Sequence, residues 1–227
     1  ATQLFLPAYF IQTAFLFLFL ILAVSSLKLS GSSLIQESAI DIVAASSKSS
    51  FLPIISLIIA IAIVLPTGYF FARSYLAEVL FQKALTAAAA NDGKTTYDTL
   101  IRTISANPSR DTYRVVYSQT NLLLANALAS NKDLTDTDRN TITQLVQQAI
   151  REAKNAVALN PTKVTNLENL AGVYRNLLNF AQGADAWTIA SYRQAIALAP
   201  VNPNLRIALG GVYFAQKNWD EAVRFFQ

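Results

Sequence analysis

The sequence predicts an all-α protein in which two transmembrane helices precede a solenoid of about four helical hairpins. Two long uncharged apolar runs lie before residue 74, every strong periodicity after them is helical, and one type of helix end recurs. Hydrophobic residues make up 53% of the chain and charged residues only 14%, whereas about a quarter of the residues of a water-soluble domain are charged. The chain therefore consists of two parts, an apolar part before residue 74 and a more polar helical part after it.

The first apolar run predicts a transmembrane helix within residues 1–29. Residues 4–27 read LFLPAYFIQTAFLFLFLILAVSSL without a charge, and their length matches a hydrocarbon core of about 30 Å. Tyr9 and Lys28 suit the two interfaces. A secretory signal peptide is the alternative, but no basic segment precedes the run. Because the chain starts at Ala1 and has no Met, we expect a processed chain or a fragment.

The second apolar run predicts a transmembrane helix over residues 51–73. It reads FLPIISLIIAIAIVLPTGYFF and is closed by Arg73. Pro53 fits a first helical turn, whereas we expect Pro66 to kink the helix or to end its regular part.

Residues 30–50 form a Ser-rich connection that predicts either a polar loop or a short amphipathic helix at the interface. Lys28 directly precedes this connection and Lys48 lies within it, so both belong to the loop between the two runs, whereas Arg73 lies on the far side of the second run. The positive-inside rule then favours a cytoplasmic loop and an extracytoplasmic repeat domain.

Residues 74–227 carry the recurring helix end. It reads IRTISANP at 101–108, AKNAVALNP at 153–161 and YRQAIALAP at 192–200. Proline stops each helix because it lacks a backbone donor and disfavours helix in the preceding residue. The pattern resembles the tetratricopeptide repeat, whose unit of about 34 residues ends in such a proline. A generic array of helical hairpins is the alternative.

Counting on from Pro161 and Pro200 brings the residues of the last two units into phase with the packing signature of this family. The resemblance implies that small residues let paired helices approach closely and that aromatic residues fill the space between helices. These packing residues are Leu167, Leu170, Ala171, Tyr174, Leu209, Gly210, Tyr213, Ala222 and Phe226. Since the chain stops within a signature, we expect the repeats to continue beyond Gln227.

The earlier units depart from the signature. AANDGK is the expected turn of the first hairpin, SNKDLTDTDRN predicts a long acidic loop in the second, and NFAQGADAWT extends the turn of the third. Asp133, Asp136 and Asp138 alternate as calcium ligands do, but the loop lacks the glycine and closing glutamate of an EF-hand. A solvated loop with Asp as the helix N-cap is the favoured interpretation.

Catalytic and cofactor chemistry has little support in the composition. The chain has no Cys and no His, so thiolate sites and the commonest general base are excluded. The scattered basic residues do not predict a nucleic-acid interface. We expect no catalytic residue, no cofactor and no metal. The aromatic residues assigned to repeat packing rather than to a ligand cage are Trp187, Tyr192, Tyr213 and Trp219.

Two functions fit this organisation. The first is a scaffold in the lipid bilayer that binds a protein or peptide on the concave face of its repeats, as family members commonly do. The predicted face comprises Glu168, Gly172, Arg175, Asn176, Ile207, Gly211 and Phe214. The second is suggested by a layout similar to the carboxy-terminal end of O-antigen ligase or polymerase-like membrane proteins. This chain would then be an accessory region of a glycan-assembly enzyme. Both functions imply an integral protein of a bacterial inner or plasma membrane.

Overall fold

The computed structural model describes residues 51–178 and 180–227, and within these ranges the regular structure is entirely helical. The helices are α1 (Phe51–Ala89), α2 (Gly93–Ala106), α3 (Asp111–Ala129), α4 (Asp136–Leu159), α5 (Val164–Arg175), α6 (Ala184–Leu198), α7 (Pro203–Ala215) and α8 (Trp219–Phe226). Residues 60–227 form one compact unit. The predicted first transmembrane helix and the connection at 30–50 lie outside the described residues.

Helices that follow one another along the chain pack together. Contacts join α2 to α3, α3 to α4, α4 to α5, α5 to α6, α6 to α7 and α7 to α8, and α3 also packs against α5. Ala77, Phe81 and Ala84 of α1 share a core cluster with Leu100 of α2. Since short connections make neighbouring helices antiparallel, the described chain is an array of helical hairpins, as predicted: the end of α1 with α2, then α3–α4, α5–α6 and α7–α8.

The predicted helix ends before proline are confirmed. Helices α2, α4 and α6 end one residue short of an X-Pro bond. The residues that precede the prolines leave the helical region, with φ −139° and ψ 93° at Asn107, φ −146° and ψ 83° at Asn160, and φ −137° and ψ 69° at Ala199. Steric conflict with the proline ring produces this extended conformation.

Helix α1 runs without a break through the predicted boundary at residue 73 and through Pro66. Of the two alternatives expected for Pro66, a kink or an end of the regular helix, the second is therefore wrong. A proline removes a single backbone donor, and the 39-residue helix continues on both sides of it. Within the part of the chain that the structure describes, no helix satisfies the joint requirement of length and apolarity for crossing a membrane. Several side chains of the predicted segment 51–73 lie outside that part.

Two predicted loops are shorter than expected. In the acidic loop, helix α4 already begins at Asp136, and its N-cap is Thr135 rather than an aspartate. Asp138 completes a capping box, because its backbone N–H donates to Thr135 Oγ1 over 3.1 Å while its carboxylate accepts from the Thr135 N–H over 3.0 Å. In the third hairpin, ADAWT belongs to α6, which starts directly after Gly183 at φ 78°. Glycine adopts this left-handed conformation without strain.

The core follows the hairpins as a row of clusters. The largest joins α5, α6, α7 and α8 and includes Leu167, Tyr192, Leu205, Leu209 and Tyr213. A middle cluster links α3, α4 and α5, and a third joins α1, α2 and α3. Each hairpin therefore buries its apolar side chains against its neighbours, which is how helical repeats acquire stability.

Candidate binding site

Two stripes of side chains on α5 and α7 make up the predicted concave face. Glu168, Gly172 and Arg175 are spaced by four and three along α5, and Asn176, the C-cap of α5, follows Gly172 by four residues. Ile207, Gly211 and Phe214 are spaced by four and three along α7. Residues with these spacings share one face of a helix. All are exposed except Gly172, which is partly buried. We call this set the α5–α7 face.

The glycines of the α5–α7 face border open space. A Cβ atom built on Gly172 or Gly211 would have no neighbouring atom within 4 Å. The adjacent Gly210 differs completely, because a Cβ there would lie 2.6 Å from Cε1 of Phe226. Gly210 is thus a site of close helix approach, whereas Gly172 and Gly211 leave room above the surface of their helices.

Exposed apolar side chains flank Gly211 on α7. Ile207 is 56% exposed and Phe214 is 57% exposed. Phe214 makes an edge contact with Trp219, with 4.9 Å between the ring centroids. The sequence assigned Trp219 to repeat packing, yet its ring is more than half exposed at the start of α8. Its position directly after the tight turn at 216–218, beside the end of α7, is the signal that could have identified it.

The charges of the face lie on α5, close enough to the buried residue Tyr192 to act on its pKa. Burial raises the pKa of Tyr192, the positive charge of Arg175 lowers it, and the negative charge of Glu168 raises it. The stripe therefore presents both signs of charge. The side-chain amide of Asn176 already makes one hydrogen bond within the protein, because its Nδ2 donates over 2.8 Å to the carbonyl of Gly172 near the end of α5.

The residues predicted to pack the repeats are mostly buried. Tyr174 and Tyr213 are almost fully enclosed, and the Tyr213 hydroxyl accepts a 2.8 Å hydrogen bond from Nη2 of Arg193. Leu170 is partly buried against the middle cluster, and Phe226 lies on Gly210 but is 51% exposed. The fully buried members of the set are Leu167, Ala171, Leu209, Gly210 and Ala222.

Of the remaining aromatic residues, Trp187 resembles Trp219 rather than Tyr192. Trp187 is exposed, stacks on Tyr174 with 6.1 Å between ring centroids, and lies beneath the Lys154 ammonium at 5.7 Å. No group of three metal-ligating side chains occurs among the described residues. The α5–α7 face offers two exposed apolar side chains, two opposite charges and one amide.

The fold is shared with solved structures of low sequence similarity. A thermophilic tetratricopeptide-repeat protein of Thermus thermophilus, TTC0263, superposes with a TM-score of 0.53 and 23% identity, over 66% of this chain and 70% of that chain. MamA of Desulfovibrio magneticus gives a TM-score of 0.51 and 14% identity, over 66% and 71%. A further MamA structure gives 0.51 and 19%, over 66% and 74%.

The sequence by itself identifies no relative: no protein-family model matches it, and neither does any curated protein. The shared architecture still agrees with the packing signature and with the proline-terminated helix pairs described above. By fold, the helical array of this chain is a solenoid of the tetratricopeptide-repeat type.

Proposed function

We propose that this chain is a membrane-anchored scaffold that binds a protein or peptide partner on its α5–α7 face. The observation that carries the proposal is the exposure of Ile207 and Phe214 beside the open space over Gly211. Exposed large apolar side chains that line a recess are typical of interaction sites, and a few such anchors supply most of the binding energy.

The chemistry of the face favours a polypeptide over other ligands. The stripe on α7 offers apolar anchors, and the stripe on α5 offers Glu168 and Arg175. A peptide that inserts one apolar side chain over Gly211 and carries a charge beside it satisfies both stripes. A nucleic acid requires a continuous basic surface, whereas this face has one cation, Arg175, and one carboxylate, Glu168.

Peptide selection against the full chain in lipid nanodiscs tests this proposal. A displayed library of random peptides would be selected on the chain, and the best peptide would be synthesised and titrated by fluorescence anisotropy. We expect the double substitution Ile207→Ala and Phe214→Ala to weaken binding by at least 10-fold, since anchors of this kind are each worth more than about 1 kcal/mol. Gly211→Trp should block the recess while leaving the helical circular dichroism signal unchanged.

The matched control is Phe180→Ala, because Phe180 is 86% exposed and lies outside the face, in the α5–α6 connection. Equal weakening by Phe180→Ala, or full binding by the Gly211→Trp chain, would contradict the assignment of this face.

The membrane anchor is proposed from the sequence of residues 51–71, which has no charge. Along the same helix Val64, Leu65, Tyr69, Phe70 and Phe71 are all exposed to solvent in the described chain. So many apolar side chains on one exposed helix favour a lipid environment. We assign the chain to a bacterial inner or plasma membrane, with the repeats on the extracytoplasmic side as the positive-inside rule favours.

Extraction of bacterial membranes at alkaline pH tests the anchor, because such treatment releases peripheral proteins. We expect the full chain to stay in the pellet, and protease added to spheroplasts to cleave its repeats. Release into the supernatant would refute the anchor, and protection of the repeats would refute the orientation.

A further inference from the structure

The connections between helices gather at two opposite edges of the array. The connections that contain the helix-ending prolines span residues 107–110, 160–163 and 199–202, and we call them, with the adjoining helix turns, the proline edge. The connections within hairpins, at 90–92, 130–135, 176–183 and 216–218, form the opposite edge. Because each helix is antiparallel to the one before it, successive connections lie alternately at one edge and at the other.

Helix α1 leaves the array at the proline edge. Nη2 of Arg73 donates to the carbonyl of Ser105, one residue before α2 ends, so Arg73 lies level with this edge. The preceding part of α1 extends past the end of α2, and Leu65 lies about 12 Å beyond Arg73 at 1.5 Å per residue. The exposed apolar side chains Val64, Leu65 and Phe70 therefore project from the proline edge.

Two of the three helix starts at the proline edge carry a basic residue, against ordinary helix chemistry, whereas α7 starts with the hydrogen-bonded cap Asn202. Arg110 and Lys163 occupy the N-cap positions of α3 and α5, and neither forms a side-chain capping bond. Oxygen-bearing side chains are preferred there, and the helix dipole disfavours a cation at an N-terminus. On the opposite edge Asp92 and Asn218 are hydrogen-bonded caps and Thr135 forms a capping box with Asp138, while α6 starts at Gly183 without a side-chain cap, so none of these N-cap residues is basic.

Three acidic groups near the proline edge are paired within the protein, whereas Glu168, one turn into α5, has no cation within salt-bridge distance among the described residues. The ion pairs are Arg110–Glu78 at 2.7 Å, Lys163–Asp111 at 2.9 Å and Arg114–Glu152 at 2.6 Å. Three further cations, Arg73, Arg102 and Arg206, have no carboxylate within salt-bridge distance among the described residues. The proline edge therefore has a net positive charge.

Aliphatic side chains are interspersed with these cations. Val201, in the last connection, is 92% exposed, and Leu159 and Leu198 are exposed at the ends of α4 and α6. A surface that combines cations with isolated apolar side chains is typical of segments that lie in the headgroup region of a bilayer.

We propose that the proline edge docks onto the anionic lipid surface of the membrane that holds α1. The inference rests on the proposed membrane anchor, because α1 leads into that membrane from the same edge. Positive charge at the edge complements anionic headgroups, and Val201 enters the interface. Docking fixes the orientation of the solenoid relative to the bilayer, so that the α5–α7 face is presented at a constant angle.

Single-cysteine labelling tests the docking, since the natural chain has no cysteine to remove. The full chain would carry a fluorophore at Val201→Cys or, as the opposite-edge control, at Asn131→Cys. Nanodiscs of phosphatidylcholine, with or without phosphatidylglycerol, would contain a headgroup-labelled quencher lipid. We expect quenching at residue 201 only in the anionic discs, reversal by high salt, and no quenching at residue 131.

Charge removal supplies the quantitative test. A cation near an anionic surface contributes roughly a 5-fold preference for the docked state, so Arg102→Gln with Arg206→Gln should lower the docked-to-free ratio roughly 30-fold. The matched control removes two cations from the opposite edge, with Lys132→Gln and Lys217→Gln, and should leave the ratio unchanged.

The possible results separate the two proposals. A chain that enters the discs but shows no quenching at residue 201, or equal quenching without phosphatidylglycerol, overturns the docking and leaves the anchor intact. Equal effects of the two charge variants also overturn it. A chain that does not enter discs of either composition refutes the anchor and the docking together.

Discussion

Alanine at Gly210 and alanine at Gly211 should change the stability of the last hairpin in opposite directions. Both glycines lie in α7, so both substitutions gain roughly 0.5–1 kcal/mol of helix propensity. At Gly211 nothing opposes this gain, because the new methyl group enters open space. At Gly210 the methyl group would lie 2.6, 2.8 and 3.1 Å from three atoms of the Phe226 ring, which must move away.

The cost of moving Phe226 follows from its burial. The side chain is 51% exposed, so displacement loses on the order of 100 Å² of buried surface, worth about 2.5 kcal/mol. After the gain in propensity, Gly210→Ala should destabilise the hairpin by about 1.5 kcal/mol. Because the propensity gain is common to both, the two variants should differ by about 2.5 kcal/mol, or roughly 5–10 °C in melting temperature for a unit of this size.

Thermal unfolding of the full chain in mild detergent, followed by far-ultraviolet circular dichroism, measures this difference. Phe226→Ala is the control background, because without the ring Gly210→Ala should stabilise the protein as Gly211→Ala does. If Gly210→Ala raised the melting temperature of the natural chain as much as Gly211→Ala, the close packing of α7 and α8 at Gly210 would be refuted.

Three further predictions concern ionisable groups. Glu152→Ala leaves the partly buried Arg114 guanidinium without its carboxylate partner and should cost about 2 kcal/mol in urea unfolding, most of it recovered when Arg114→Met is added. Burial alone would raise the pKa of Asp111, but hydrogen bonds from Asn166 and Lys163 outweigh it and lower the pKa. Stability should therefore fall as the pH drops below about 4, less steeply in Asp111→Asn. Burial raises the pKa of Tyr113 to about 12. Stability should hence decline above pH 10, and the absorbance titration of Tyr113→Phe should lack a transition near 12.

The sequence predicts most of the fold because its strongest signals are local. The proline after each of α2, α4 and α6 acts on the residue directly before it, so Asn107, Asn160 and Ala199 become extended whatever the tertiary context. Helix starts are weaker signals, since Thr135 and three nearby aspartates compete for one N-cap. Thr135 is selected because Asp138 can complete the capping box three residues later.

The candidate site is less predictable because it depends on pairs of helices. Spacing along α5 and α7 is sufficient to group the residues of the α5–α7 face. It gives no account of Trp219, whose contact with Phe214 requires the tight turn that brings the start of α8 beside the end of α7. It also gives no account of the difference between Gly210 and Gly211, because only the partner ring of Phe226 distinguishes these neighbours.

The junction between the second and third hairpins shows how polar residues fix the geometry of the array. The buried Asn166 side chain of α5 donates from Nδ2 to Asp111 Oδ2 over 2.8 Å, to the Ala156 carbonyl over 2.9 Å and to the Asn160 carbonyl over 3.2 Å. One amide group thus connects the starts of α3 and α5 with the end of α4. Apolar contacts tolerate sliding, whereas a buried donor with several acceptors permits few arrangements. This junction therefore restrains the angle between the second and third hairpins.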